Sequence, residues 1–377
     1  MSVVGNGHSA DHRSSADAAR AAEDAAVRAL SRRFRAPTLP EITQRGLSGL
    51  YAWLEVPDLS DISVWPRVTR VRLIGQPWVR VRELVEDAEE CLDLIRHLLR
   101  DADHLGDPSN GTHELALPNA RVTIYLDWAP WPAVVVRSHR SRPASMEDLV
   151  ALGTLPAELA DELVRALSAG SSALVSGATG SGKTTFLDAW CLAAIGEDEQ
   201  TITIEDTYEL SLATARPASV LPFLARPANV EGAGERSMAL LARGALRGSP
   251  DRIVVGECRG PEALQMLRAM ESGARGSAGS IHSDSPEAAL EKMCDYILEA
   301  GGRSVEYVAR MVARHIRLVV HLEVEDGRHY VSEVYEVTGA EDGRIHGGAL
   351  WRAGPDRVAH RTGVAPSPIL ARKLAAR

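Results

Sequence analysis

Apolar residues recur at helical spacing over residues 83–100, where Leu84, Ala88, Cys91, Leu92, Ile95 and Leu98 share one face. Residues 121–126 and 133–137 read instead as strands. They are joined by a turn over 127–132 that holds Trp128, Trp131 and two prolines. The runs 65–73 and 78–81 alternate like a hairpin. Together these segments predict a compact α+β domain over residues 50–138. Ahead of it, residues 1–49 read as an extension: a polar, Gly/Ser-rich tail to about residue 15, then a helix over 15–34 that Pro37 and Pro40 end.

The polar stretch 139–144, with Pro143, reads as a linker. Ser145, Met146, Glu147 and Asp148 then open a helix with capping-box spacing. From there to about residue 322 strands and helices alternate, which predicts a parallel sheet. Residues 321–337 suggest a hairpin turning at Asp326-Gly327. The second domain is set at 145–353 and is followed by a basic tail, 354–377. Within that tail 368–377 reads as a short amphipathic helix or as disordered chain.

A length of 377 residues predicts two or three domains, and 45% apolar content suffices for a buried core. The formal charge of -9 argues against a general nucleic-acid binder, because phosphate neutralisation needs surplus Lys and Arg. A local basic groove stays open. Cys91, Cys191, Cys258 and Cys294 form no CxxC pair, so they read as buried thiols in a reducing compartment rather than a zinc or disulfide framework. No apolar run approaches the roughly 20 residues of a membrane span, and the N-terminus lacks the apolar stretch of a signal peptide. A cytoplasmic protein without membrane insertion is expected.

All but three of the 42 basic residues are arginine; the lysines are Lys183, Lys292 and Lys373. Lys183 falls inside Gly177-Ala178-Thr179-Gly180-Ser181-Gly182-Lys183-Thr184, a GxxxxGK[ST] phosphate loop. An apolar strand at 173–175 precedes it and a helix from Thr185 follows, the context that motif requires. Glycines let successive amides point into one hollow, and the helix start adds partial positive charge. Lys183 would then reach the β- and γ-phosphates of ATP, and the Thr184 hydroxyl would ligate Mg²⁺.

Two further strands end in carboxylates: 201–204 leads into Glu205, and 251–256 leads into Glu257. In a doubly wound sheet ligands bind at the carboxyl ends of strands. The order of these motifs resembles the type II/type IV secretion and pilus ATPases, with the tight-adherence (Flp) pilus and conjugation-type ATPases as the nearest branch. The likeness runs from about residue 56 to 337. Residues 205–210 (Glu-Asp-Thr-Tyr-Glu-Leu) look like that family's Asp box, and residues 246–263 like its Walker B block. Ser272-Gly273 through Ile281-His282-Ser283 is similar to its His box. Leu117-Pro118 with Arg121, and Val136-Arg137, look like its N-domain strands facing nucleotide.

The resemblance implies a RecA-like α/β ATPase domain preceded by a smaller α+β N-terminal domain. It implies a hydrolase that uses ATP and Mg²⁺ and works as a hexameric homo-oligomer. The motor would sit at the inner face of the cell membrane and push on an inner-membrane platform protein. Glu205 would be the general base or water-orienting acid, and Glu257 would act through Mg²⁺. His282 would sense the γ-phosphate, and Arg121 and Arg137 would approach the phosphates. Arg243 and Arg247 would be inter-subunit contacts; ordinary surface ion pairs account for all four arginines equally well. Two positions depart from the family's pattern: Ala274 stands where its first His-box histidine is expected, and Asn119-Ala120 replaces an Asp-Gly turn. Ala274 keeps open a weakly hydrolysing nucleotide-binding regulator. A DNA translocase is the lesser alternative.

Overall fold

The computed structural model of the chain describes residues 42–56, 59–73, 76–101, 111–117, 120–138, 144–226 and 234–375. The expected tail and helix before residue 35, and all but the last residue of the 139–144 linker, lie outside the described residues. The chain divides into two compact units, Met1–Ser141 and Arg142–Arg377.

The first unit contains helix α1 (Gly46–Leu54), strands β1 (Leu59–Trp65), β2 (Val68–Leu73) and β3 (Val79–Val81), helix α2 (Ala88–Asp101), and strands β4 (Thr112–Leu117), β5 (Ala120–Tyr125) and β6 (Ala133–Ser138). The strands form one sheet in the order β3-β2-β1-β6-β5-β4, antiparallel throughout. The helical face expected over 83–100 holds in part: the helix starts only at Ala88, which is exposed, while Cys91, Leu94, Ile95 and Leu98 are buried with Leu50 and Trp53 of α1 against Ile62, Val64, Ile124 and Val136 of the sheet. Asp87 Oδ1 accepts from Glu90 N at 2.9 Å at the start of α2, and Arg100 lies in its last turn, both favourable to the helix dipole.

The 65–73 arm needs correction. The chain already turns at Pro66-Arg67, so β1 and β2 are themselves a hairpin, with Trp65 opposite Val68. Arg67 takes φ 62 there. Arginine is not a residue that announces a left-handed turn.

The second unit contains α3 (Met146–Ala151), α4 (Ala157–Ser168), β7 (Ala173–Gly177), α5 (Lys183–Ala194), β8 (Thr201–Glu205), α6 (Leu212–Ala215), β9 (Val220–Leu224), α7 (Met238–Ala245), β10 (Arg252–Val255), α8 (Glu262–Glu271), β11 (Ala278–His282), α9 (Pro286–Glu299), α10 (Val305–His315), β12 (Leu318–Glu325), β13 (Arg328–Glu341), β14 (Arg344–Ala353), β15 (Ala359–Arg361) and α11 (Pro368–Ala375). The capping box predicted for α3 forms, Ser145 Oγ accepting from Asp148 N at 3.1 Å and Asp148 Oδ2 from Ser145 N at 3.0 Å.

Its nine strands run β15-β14-β13-β12-β7-β11-β10-β8-β9. The six from β12 to β9 are parallel, and β12 to β15 form an antiparallel extension. All residues of β7, β8 and β10 are buried, as strands covered on both faces must be. Neighbouring positions divide between two cores: Val175, Val254 and Val320 pack with Leu163, Phe186 and Trp190, whereas Leu174, Ile253 and Val319 pack with Met266, Leu290 and Val312. The β9 rim carries Pro222 at its centre, and the β15 rim is three residues long.

The Asp326-Gly327 turn is as expected, with φ 51 and 76, the pair of left-handed residues a two-residue hairpin demands. The stretch expected as a basic tail, 354–377, differs in its first part and most of its last: Ala359 and Leu370 are buried in the core. Ser367 N donates to Glu336 Oε2 at 2.8 Å, and Lys373 Nζ to Gly170 O at 2.6 Å. Leu370, with Leu374 packed beside it, seats α11 because it lands in an existing core.

A candidate nucleotide site at the phosphate loop

The loop between β7 and α5 leaves the sheet where the strand order reverses, with β12 on one side of β7 and β11 on the other. Gly177 has φ 148, and a Cβ there would lie 2.4 Å from Leu322 O and 2.6 Å from Ser181 Oγ. Gly180 and Gly182 take φ 77 and 92, so glycine is required by conformation. Gly182 precedes the helix, and Thr184 and Thr185 follow Lys183 in its first turn, half-buried. The Ser181 hydroxyl is buried without a hydrogen-bond partner among the described residues. His329, at the start of β13, meets the loop from outside, its Nδ1 3.1 Å from Ser181 O.

Lys183 Nζ donates to Ala178 O at 2.9 Å and to His282 Nδ1 at 3.0 Å. Burial lowers the Lys183 pKa, which Glu257 and Glu209 oppose. His282, at the end of β11, places Nε2 3.0 Å from Glu257 Oε1. An ammonium donating to Nδ1 requires that nitrogen to be bare, so the proton sits on Nε2 and is donated to Glu257. Burial first, then Lys183, lowers the His282 pKa, in keeping with a neutral ring.

Glu257 also accepts from Arg259 Nη2 at 2.6 Å, and Arg259 Nη1 donates to Asp206 Oδ2 at 2.7 Å. Burial pushes the Glu257 pKa up, but Arg259, His282 and Lys183 together hold it below the usual carboxylate range. The hydrogen bond to Glu257 raises Arg259 correspondingly. One continuous chain therefore runs Lys183–His282–Glu257–Arg259–Asp206.

Glu205 does not join that chain of contacts. It is buried at the end of β8, and its Oε1 accepts from Glu209 N at 2.9 Å and Leu210 N at 2.8 Å. Burial pushes its pKa up to about 8. A carboxyl bound to its own loop and screened from solvent clamps that loop. Because the folded-state value lies above the unfolded one, Glu205 favours folding at low pH and loses that contribution as pH rises towards 8. The stability of Glu205→Gln should consequently fall less than wild type between pH 5 and pH 8. Parallel slopes in urea titrations at those two pH values would remove this reading of the side chain.

The other expected residues are scattered. In the first unit Arg137 lies opposite Arg121 on β5, and its Nε is 3.2 Å from Asp61 Oδ1. Asp61 also holds Arg72 at 2.5 Å. Burial raises the Asp61 pKa, yet Ser60, Arg72 and Arg137 bring it below normal. Arg137 is thus engaged within its own sheet. Arg243 and Arg247 are exposed on α7 and the turn after it. Ala274 is buried before β11, at the opposite end of that strand from His282, in the core with Ala269 and Met270. Sequence reasoning gave no role to Arg259, Asp206, Glu209 or Asp188. The signal available for Asp188 was a lone acid in the otherwise apolar stretch 186–194 of α5.

The glycine cradle, the helix start and the buried ammonium fit a polyphosphate. Among the described residues no group of three His, Cys, Asp or Glu side chains is placed to hold a metal ion. Mg²⁺ suits such a site, since it takes one or two protein oxygens and completes its shell from phosphates and water.

Residues 103–345 match the family model for "Type II/IV secretion system protein". The chain belongs to that family. This type II/IV secretion family member is 36% identical over 216 residues to a putative conjugal transfer protein of Mycobacterium tuberculosis, covering 56% of this chain and 59% of that one. It is 36% identical over 168 residues to the type IV secretion system protein VirB11 of Brucella suis, covering 43% of this chain and 46% of that one. Both matches span under two thirds of the relative. Among solved structures, the ATPase DotB of Legionella pneumophila superposes with a TM-score of 0.58 at 18% identity, covering 80% of this chain and 83% of that one. The fold is that of the secretion ATPases, a RecA-like α/β domain behind a smaller N-terminal domain. Among the described residues no helix is long and apolar enough to cross a membrane.

Proposed function

We propose that this family member hydrolyses ATP with Mg²⁺, and that the free energy drives assembly or operation of a pilus or secretion apparatus. The observation that carries the proposal is the Lys183 ammonium, buried at the mouth of the glycine cradle and held, among the described residues, by a carbonyl and a neutral imidazole. A buried cation on neutral acceptors is poorly compensated, and a phosphate oxygen is the partner it lacks.

The amides of residues 178–183 and the Lys183 ammonium bind and orient the phosphates. Thr184 and Glu257 would hold Mg²⁺, which when bound supplies charge neutralisation at the phosphoryl oxygens. Glu209 is exposed on the Asp206 loop and close enough to favour the Lys183 charge. It takes the water-orienting part that Glu205 is too buried to play. When Lys183 turns to a phosphate it leaves His282 Nδ1, so His282 and the Glu257–Arg259–Asp206 chain respond to the γ-phosphate. The motor acts as a homo-oligomer, a hexamer by family likeness, at the cytoplasmic face of a membrane beside a platform protein.

Steady-state phosphate release tests this. Wild type should turn over ATP in Mg²⁺, and Glu257→Gln should be slower by roughly 10- to 100-fold. Release no faster than in that variant would leave a nucleotide-binding regulator. Stimulation by DNA at low salt would favour a translocase.

A further inference from the structure

Asp188 lies on α5 five residues after Lys183 and is 6% exposed. Its Oδ1 accepts from Ser211 N at 3.0 Å, and its Oδ2 accepts from Ser211 Oγ at 2.5 Å. Ser211 ends the loop that begins at Asp206. The same loop is held near its middle by Glu205, through the amides of Glu209 and Leu210. Two buried carboxylates from two different elements thus grip one six-residue segment, and that segment carries Asp206 and Glu209.

We infer that Asp188 is a positioning residue for hydrolysis: it fixes the 206–211 loop to the phosphate-loop helix, so that Asp206 and Glu209 are held at the nucleotide. The geometry closes a ring. From Lys183 the contacts pass through His282, Glu257 and Arg259 to Asp206, along the loop to Ser211, and through Asp188 back to the helix that bears Lys183. The links through His282, Glu257, Arg259 and Asp206 depend on side chains that are half-buried or exposed. The Asp188 link is buried and makes two bonds to one residue, one of them to backbone, so it sets the distance between helix and loop. A shift of α5 on phosphate binding is then passed to the loop directly. Glu205 anchors the same loop to β8.

This inference rests on the ATPase reading, and the experiment separates the two failures. Phosphate release, ATP affinity by a fluorescent analogue, and thermal unfolding are measured for wild type, Asp188→Ala, Asp188→Asn and Ser211→Ala. No release by wild type sinks the ATPase reading itself. With wild type active, Asp188→Ala should lower kcat by roughly 10- to 100-fold, the loss expected of a catalytic group displaced by about an ångström, with ATP affinity kept. Asp188→Asn retains an acceptor for Ser211 N and should restore kcat to within about threefold of wild type. Ser211→Ala keeps the amide and loses one hydrogen bond, so about a fivefold loss is expected. If Asp188→Ala does not fold, the Ser211→Ala and Asp188→Asn results decide. Wild-type kcat in Ser211→Ala and Asp188→Ala would overturn the inference. So would a parallel loss of ATP affinity and kcat, or an Asp188→Asn variant as impaired as alanine.

Discussion

Lys183→Ala should lower turnover by roughly 10²- to 10³-fold while the protein keeps its fold. The magnitude is that of losing one preorganised charge aimed at a developing oxyanion in a site with little water. The fold survives for a structural reason. Deleting the ammonium leaves Ala178 O and a neutral His282, neither of which is an uncompensated buried charge. The Lys183 pKa is already lowered by burial, so the folded protein loses a cation it holds at a cost. Phosphate release and thermal unfolding measured on one preparation check both halves. Wild-type turnover, or a large fall in melting temperature with binding intact, would mean that the lysine serves the fold and not the nucleotide.

The second large effect is on stability. Trp190 on α5 is fully buried, and its ring meets Phe186 edge-on at 5.9 Å between centroids. Trp190→Ala should destabilise by about 3–5 kcal/mol through lost burial and the cavity left behind. For a unit of this size that corresponds to a fall of roughly 10 °C in melting temperature. The indole N–H has no hydrogen-bond partner among the described residues. Trp190→Phe therefore loses volume but no bond, and should cost about 1–2 kcal/mol. Because α5 also carries Lys183, Trp190→Ala should weaken ATP binding, whereas Trp190→Phe should not. Equal losses for the two substitutions would point to an unseen bond at the indole nitrogen.

What the sequence revealed was local. The phosphate loop spans eight consecutive residues, and each glycine's duty follows from its place in the turn. The Asp326-Gly327 hairpin was legible for the same reason. The partners of Lys183 were harder: His282 lies 99 residues away, and Arg259 and Asp206 are 53 apart. Only the sheet order brings those strand ends together. Glu205 was legible as a strand-end acid, but its backbone partners were not. Nothing local indicates that its carboxyl folds back onto the amides of Glu209 and Leu210. Gly347 and Gly348 lie within β14. A Cβ on Gly347 would come within 2.1 Å of Glu336 O, so glycine there permits close strand approach and makes no turn.

The two rims of the nine-stranded sheet limit how copies of this chain can join. Pro222 interrupts one row of donors and the other row is three residues long, so neither templates a further strand. Copies of this chain meeting at those rims would therefore be bolted through side chains and not zipped through a shared sheet. Such a seam can loosen and reseat without tearing main-chain hydrogen bonds.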